Sequence, residues 1–146
     1  MPMVLYFAGD DLFLGARLDG FVHSADARAA RAHILPHRDY PDAVRFLFDA
    51  RRLKGTDMSA TEIHALAMAL SRKGRSDRVQ RLLAMVADEG SFGFGMARML
   101  HAFAAPLDLL EAEILRDPAA AGDWLGIGDS AVGHMDALER AGLTFG

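Results

Sequence analysis

The sequence predicts a single α/β domain built on a mixed β-sheet of about five strands with flanking helices. Two strand-like runs joined by a short turn open the chain, and apolar runs alternate with helix-forming stretches from Val44 to Leu125. The alternation calls for parallel strands joined by right-handed crossovers, and the opening hairpin adds an antiparallel pair.

The opening strands are expected at Met3–Ala8 and Leu12–Leu18, with Gly9-Asp10-Asp11 between them as a turn. Ser24 is placed to cap a helix over Ala25–Leu35, where alanine and arginine favour helix. Pro36 ends it, and HRDYPD (37–42) reads as a loop. VRFLFDA (44–50) reads as a strand, followed by an amphipathic helix over Ala60–Lys73. VQRLLAMVA (79–87) has the apolar run of a strand covered on both faces. Phe92–Phe103 then reads as helix, Leu107–Leu115 as strand and Pro118–Leu125 as a short helix. Asp117 caps this last helix, and Pro118 occupies its first position, where a missing N–H does no harm.

These elements assign residues 1–125 to one domain and leave 126–146 as a tail. Within the tail, Met135, Leu138 and Ala141 or Gly142 share one face of a short helix expected to pack on its own domain. A chain of 146 residues is long enough to bury a core without disulfides, and there is no cysteine to form one. That also removes a thiol nucleophile and any cysteine-based zinc site. The formal net charge of −4 argues against nucleic acid as a partner. The apolar run at the start is too short for a membrane span, so a cytoplasmic location and no membrane association are the expectation.

Ser59 is the first candidate site. In Ser59-Ala60-Thr61-Glu62 it fits a capping box, with its side chain on the N–H of Glu62, the Glu62 carboxylate on the N–H of Ser59, and Met58 stapled to Ile63. A helix N-terminus also accommodates a phosphate, so the same serine is a candidate modification site. The stretch Gly90–Arg98 is the second candidate, a loop between strand and helix suited to a ligand or nucleotide. Gly93 and Gly95 match the first two glycines of G-x-G-x-x-G, but Arg98 stands where the third belongs. Arg51, Arg52 and Lys54, in a basic loop after the 44–50 strand, form a candidate surface for an anion or partner. Arg72, Lys73, Arg75, Arg78 and Arg81 make a second basic group.

Other constellations fail on spacing. His33 and His37 have the i, i+4 separation of a ligand pair, but Pro36 interrupts the turn and no further ligands are apparent, so no metal is expected. His64, five residues beyond Ser59, should face away from a capping serine, which excludes a triad of Ser59, His64 and Asp57. Neither Glu111 with Glu113 nor Asp10 with Asp11 has a feature that marks acid–base chemistry. No catalytic residue and no cofactor is expected.

Taken together, FLFDARRLKGTDMSATEIHALAMAL (46–70), GFGMARML (93–100) and ILRDPAAAGDWLG (114–126) resemble the STAS domain of bacterial anti-sigma-factor antagonists. The resemblance spans residues 3–125. In that family a strand leads into Asp-Ser-Ser-Gly at the start of a helix, and the second serine is phosphorylated by an anti-sigma kinase. Here the stretch reads Asp57-Met58-Ser59-Ala60. Asp57 and Ser59 match, whereas Met58 and Ala60 replace the first serine and the glycine. The resemblance implies a non-enzymatic regulatory or interaction module that meets an anti-sigma or kinase-like protein around Ser59 and Asp57. The alternative is a small-ligand-binding domain or enzyme using the Gly90–Arg98 loop, to be favoured by a deep apolar pocket near Phe92 and Phe94.

Overall fold

The structure, a computed structural model, describes residues 2–37, 40, 43–71, 80–107 and 110–146. Strand β1 (Met3–Ala8) leads through a single 3₁₀ turn into β2 (Phe13–Val22), helix α1 (Ser24–Ile34) and strand β3 (Arg45–Thr56). Helix α2 (Ala60–Ser71), β4 (Arg81–Val86), α3 (Phe92–Ala104) and β5 (Leu110–Leu115) follow. The chain closes with α4 (Pro118–Leu125), α5 (Ser130–Ala141) and β6 (Leu143–Phe145).

The six strands form one sheet in the order β5-β4-β3-β2-β1-β6. Strands β2, β3, β4 and β5 pair in parallel, whereas β1 is antiparallel to both β2 and β6. Three successive crossovers step in one direction from β2 to β5, and α1, α2 and α3 pack on the same face; the right-handed rule for parallel crossovers requires this arrangement. The other face is covered by α4 and α5, and α5 returns the chain to the far edge, where β6 pairs with β1.

Alternation along the strands sorts the core into two layers. Phe13, Leu47, Ala84 and Val86 point at α4 and α5, where Leu125, Met135 and Leu138 meet them. Leu14, Phe46, Leu83 and Met85 point the other way, toward Ile63, Ala67, Ala97 and Leu100 on α2 and α3. Both ends of α4 follow the expected pattern. Asp117 accepts the N–H of Ala120 at 2.8 Å, and Gly126 takes a left-handed φ of 79° past the last turn.

Three expectations about the strands and α3 need correction. Among the described residues the sheet has six strands where about five are expected, because the tail ends in β6; its Met135 and Leu138 are buried in the α4–α5 layer. Strand β3 does not stop at residue 50 but continues to Thr56, so Arg51, Arg52 and Lys54 lie in a strand and not in a loop. Pairing with β2 as far as Val22↔Thr56, and burial of Leu53 between exposed Arg52 and Lys54, account for the extension. Finally, Gly93, Gly95 and Arg98 belong to α3, which begins at Phe92, and not to a loop. The expected residues Arg72, Lys73, Arg75 and Arg78 lie outside the described residues.

Candidate ligand cavity and its polar rim

Helix α1 rests over β1 and β6, and α2 leans on α3, so the β2–β3 surface between the two helices is left uncovered. The result is an apolar cavity of about 280 Å³. Leu14, Ala16 and Phe48 form its floor, with Ala30 and Ile34 of α1 on one side and Ile63 and Leu66 of α2 on the other. Alanines produce the space: Ala27 and Ala30 on α1, and Ala65 and Ala69 on α2, carry too little side chain to fill it.

The helix α3 side of this cavity is made by Met96, Ala97 and Leu100, and not by Phe92, which is exposed. Gly93 has a different task. A Cβ built on it would lie 2.0 Å from the carbonyl oxygen of Ala50, so glycine lets α3 approach β3 closely. Gly95 and Arg98 lie on the exposed side of the helix, away from Gly93. The N-terminus of α3 is already capped by Ser91, whose Oγ accepts the N–H of Phe94 at 3.1 Å. The three residues therefore do not converge on a phosphate cradle.

Ser59 and Asp57 stand at one end of the cavity. The capping box is formed: Glu62 N–H donates to Ser59 Oγ at 3.2 Å, and Ser59 N–H donates to Glu62 Oε1 at 3.3 Å. The Ser59 hydroxyl also lies 3.4 Å from that carboxylate oxygen. Met58 packs against the core cluster that contains Ile63, as a hydrophobic staple requires.

Asp57 serves the neighbouring helix. Its Oδ1 accepts the N–H of Ser24 at 2.6 Å, and its Oδ2 lies 3.5 Å from Nδ1 of His23. The Ser24 N–H, followed by the His23 contact, holds the Asp57 carboxyl below its ordinary pKa. Ser24 is thus not the cap of α1; Asp57 satisfies that N-terminus from the adjacent strand end. The parallel register Val22↔Thr56 brings the two turns together, and Thr56 Oγ1 donates to the Val22 carbonyl at 2.6 Å. No local sequence signal marks this cap, which depends on the pairing of β2 with β3.

A guanidinium joins the two helix starts. Arg28 Nη1 donates to Ser24 Oγ at 2.8 Å and lies 3.7 Å from Glu62 Oε2. His23, Ser24, Arg28, Asp57, Ser59 and Glu62 therefore form one polar rim across the N-termini of α1 and α2. Sequence reasoning found Ser59 and Asp57 but not Arg28 or the cavity.

The basic residues of β3 are divided. Arg51 makes a two-pronged pair with Asp49, at 3.0 and 2.8 Å, and this bonding raises the guanidinium pKa above its ordinary value. Arg52 pairs with Asp19 at 2.8 Å, whereas Lys54 is exposed. Arg81 is buried, with its Nη1 on the Leu70 carbonyl at 3.0 Å and its guanidinium against Tyr40 and Phe46. It closes the C-terminal end of α2, a structural use of the charge.

Among the described residues no group of three His, Cys, Asp or Glu side chains could hold a metal ion. His37 stacks on Phe7 and His64 packs edge-on to Phe103. No helix among these residues is long and apolar enough to cross a membrane.

No protein-family model matches the chain, and no curated protein matches its sequence. Among solved structures it is similar to an uncharacterised protein of the DUF3478 family with a SpoIIAA-like fold from Shewanella loihica PV-4. The identity is 18% and the TM-score 0.54, over 84% of this chain and 93% of the other. The shared architecture is the one the strand order describes, and the chain has the SpoIIAA-like, STAS-like fold.

Proposed function

We propose that this domain is a non-enzymatic binding module for a small apolar ligand held between α1 and α2. The cavity of about 280 Å³ carries the reading. It approaches the lower end of the size range of small-molecule sites, about 300–1,000 Å³, and has their apolar walls with a few polar groups at one side. Ala65 lines it without being fully buried, so extra methyl groups there would extend into the empty volume. The neutral fluorophore N-phenylnaphthylamine is expected to bind the protein with enhanced emission, and Ala65→Leu to abolish binding while the melting temperature is kept or raised. Equal binding by both proteins would refute the assignment, as would no binding by the wild type.

A second reading, a partner-switching regulator that meets an anti-sigma or kinase-like protein, is supported by the exposed position of Ser59 beside Asp57. It ranks lower because a phosphate on Ser59 would be placed against the Glu62 carboxylate. Phosphosite mapping of the protein from its native cells, with a pull-down, separates the two: phosphate on Ser59 together with a retained kinase-like partner would reverse the order.

A further inference from the structure

Among the described residues, five polar side chains line the cavity: Arg28, Arg31, Tyr40, Thr56 and Glu62. Four of them are engaged. The Tyr40 hydroxyl donates to the Ala69 carbonyl at 3.2 Å, and the Thr56 hydroxyl to that of Val22. Glu62 holds the Ser59 N–H and faces Arg28, which in turn holds Ser24. Arg31 differs. It lines the cavity half-buried, and its guanidinium makes no ion pair or hydrogen bond among the described residues. One turn along α1 from Arg28, it shares that helix face. Arg28 faces Glu62 and Asp57 is held by the Ser24 N–H, which leaves the Arg31 guanidinium beside an apolar cavity without a counter-charge among the described residues.

We infer that the ligand is a medium-chain monocarboxylate, with its hydrocarbon chain between α1 and α2 and its head group on Arg31. This rests on the cavity reading above and names the ligand class for the same site. A planar carboxylate matches the fork of a guanidinium through two parallel N–H···O bonds. One unpartnered guanidinium, with the Glu62 and Asp57 carboxylates nearby, suits a monoanion better than a doubly charged phosphate. The size of the cavity sets the chain length: it is small for a ligand site, so a short chain fits where a long one would project into solvent.

The test is displacement of N-phenylnaphthylamine from the whole chain by decanoate and by decanol, in the wild type and in Arg31→Gln. Decanoate should displace the probe from the wild type. Arg31→Gln should raise its dissociation constant about tenfold, the scale of one charge-assisted hydrogen-bonded pair. Displacement by decanol should be unchanged by the substitution, which shows that the cavity is intact. Equal decanoate affinity in the two proteins would overturn the inference, as would parallel loss of decanoate and decanol. If the probe binds but decanoate cannot displace it, the ligand class is wrong while the cavity reading stands. If the probe itself does not bind, both fall.

Discussion

The same strands present one set of side chains to α4 and α5 and the alternate set to α1 and α2, yet the two layers are filled differently. Toward α4 and α5, Phe13, Leu47 and Val86 meet Leu125, Met135 and Leu138, and the alanines among them, Ala84, Ala121 and Ala131, are fully buried. Toward α1 and α2, Leu14, Ala16 and Phe48 face walls in which Ala27, Ala30, Ala65 and Ala69 stand among Ile34, Ile63 and Leu66, and a cavity remains. Dispersion contacts are lost wherever a wall atom has no neighbour, so the second layer holds its helices less firmly. One layer stabilises the domain, and the other gives up part of its stabilisation to keep a space open.

Substitutions can break this contrast. Phe13 is 1% exposed in the filled layer, and Phe13→Ala should cost about 3–5 kcal/mol in denaturant unfolding. Leu66→Ala, on the already open wall of the cavity, should cost clearly less; equal losses would mean that the two layers are equally packed. Gly93→Ala would press a methyl group against the Ala50 carbonyl and push α3 off the sheet, at about 1–3 kcal/mol by the same measurement.

The polar rim gives smaller effects. Ser59→Ala should lower stability by about 0.5–2 kcal/mol, whereas Ser59→Asp, another good cap, should change it little. Negligible effects from both would remove the capping box as an explanation. Asp57 adds a pH dependence. Because its folded pKa is depressed, its contribution is complete above the unfolded value of about 3.9 and is lost as pH falls through the lower folded value. The stability difference between wild type and Asp57→Asn should therefore shrink as the pH is taken below about 4. A difference that is constant across that range would show that the Ser24 N–H does not favour the ionised carboxylate.

Local chemistry made much of the fold legible. Met3–Ala8 and Pro118–Leu125 have the expected bounds because an apolar run ended by Gly9-Asp10-Asp11, and a cap with a proline at the first helical position, act within a few residues. The capping box at Ser59 was legible for the same reason. The extension of β3 was not, since Arg51, Arg52 and Lys54 look like a solvated loop until β2 is known to lie beside them. Nor could alanines disclose the cavity: Ala27, Ala30, Ala65 and Ala69 suit a tight helix interface as well as an open one, and only the separation of α1 from α2 decides between them. The Asp57–Ser24 bond joins residues 33 apart and exists only once two strands are paired.

The pairing of β6 with β1 has a consequence for synthesis of the protein. Strand β1 reads MVLYFA, six uncharged residues that include the β-formers Val4, Tyr6 and Phe7, and its outer edge is met by residues 143–145. A nascent chain that has already joined β1 to β2 therefore carries an apolar, unpaired edge until residues 143–145 have been made. Such an edge is a template for pairing with other chains. Strand β6, with α1 packed against it and α5 against β1, acts as an edge guard whose removal would be felt first as aggregation.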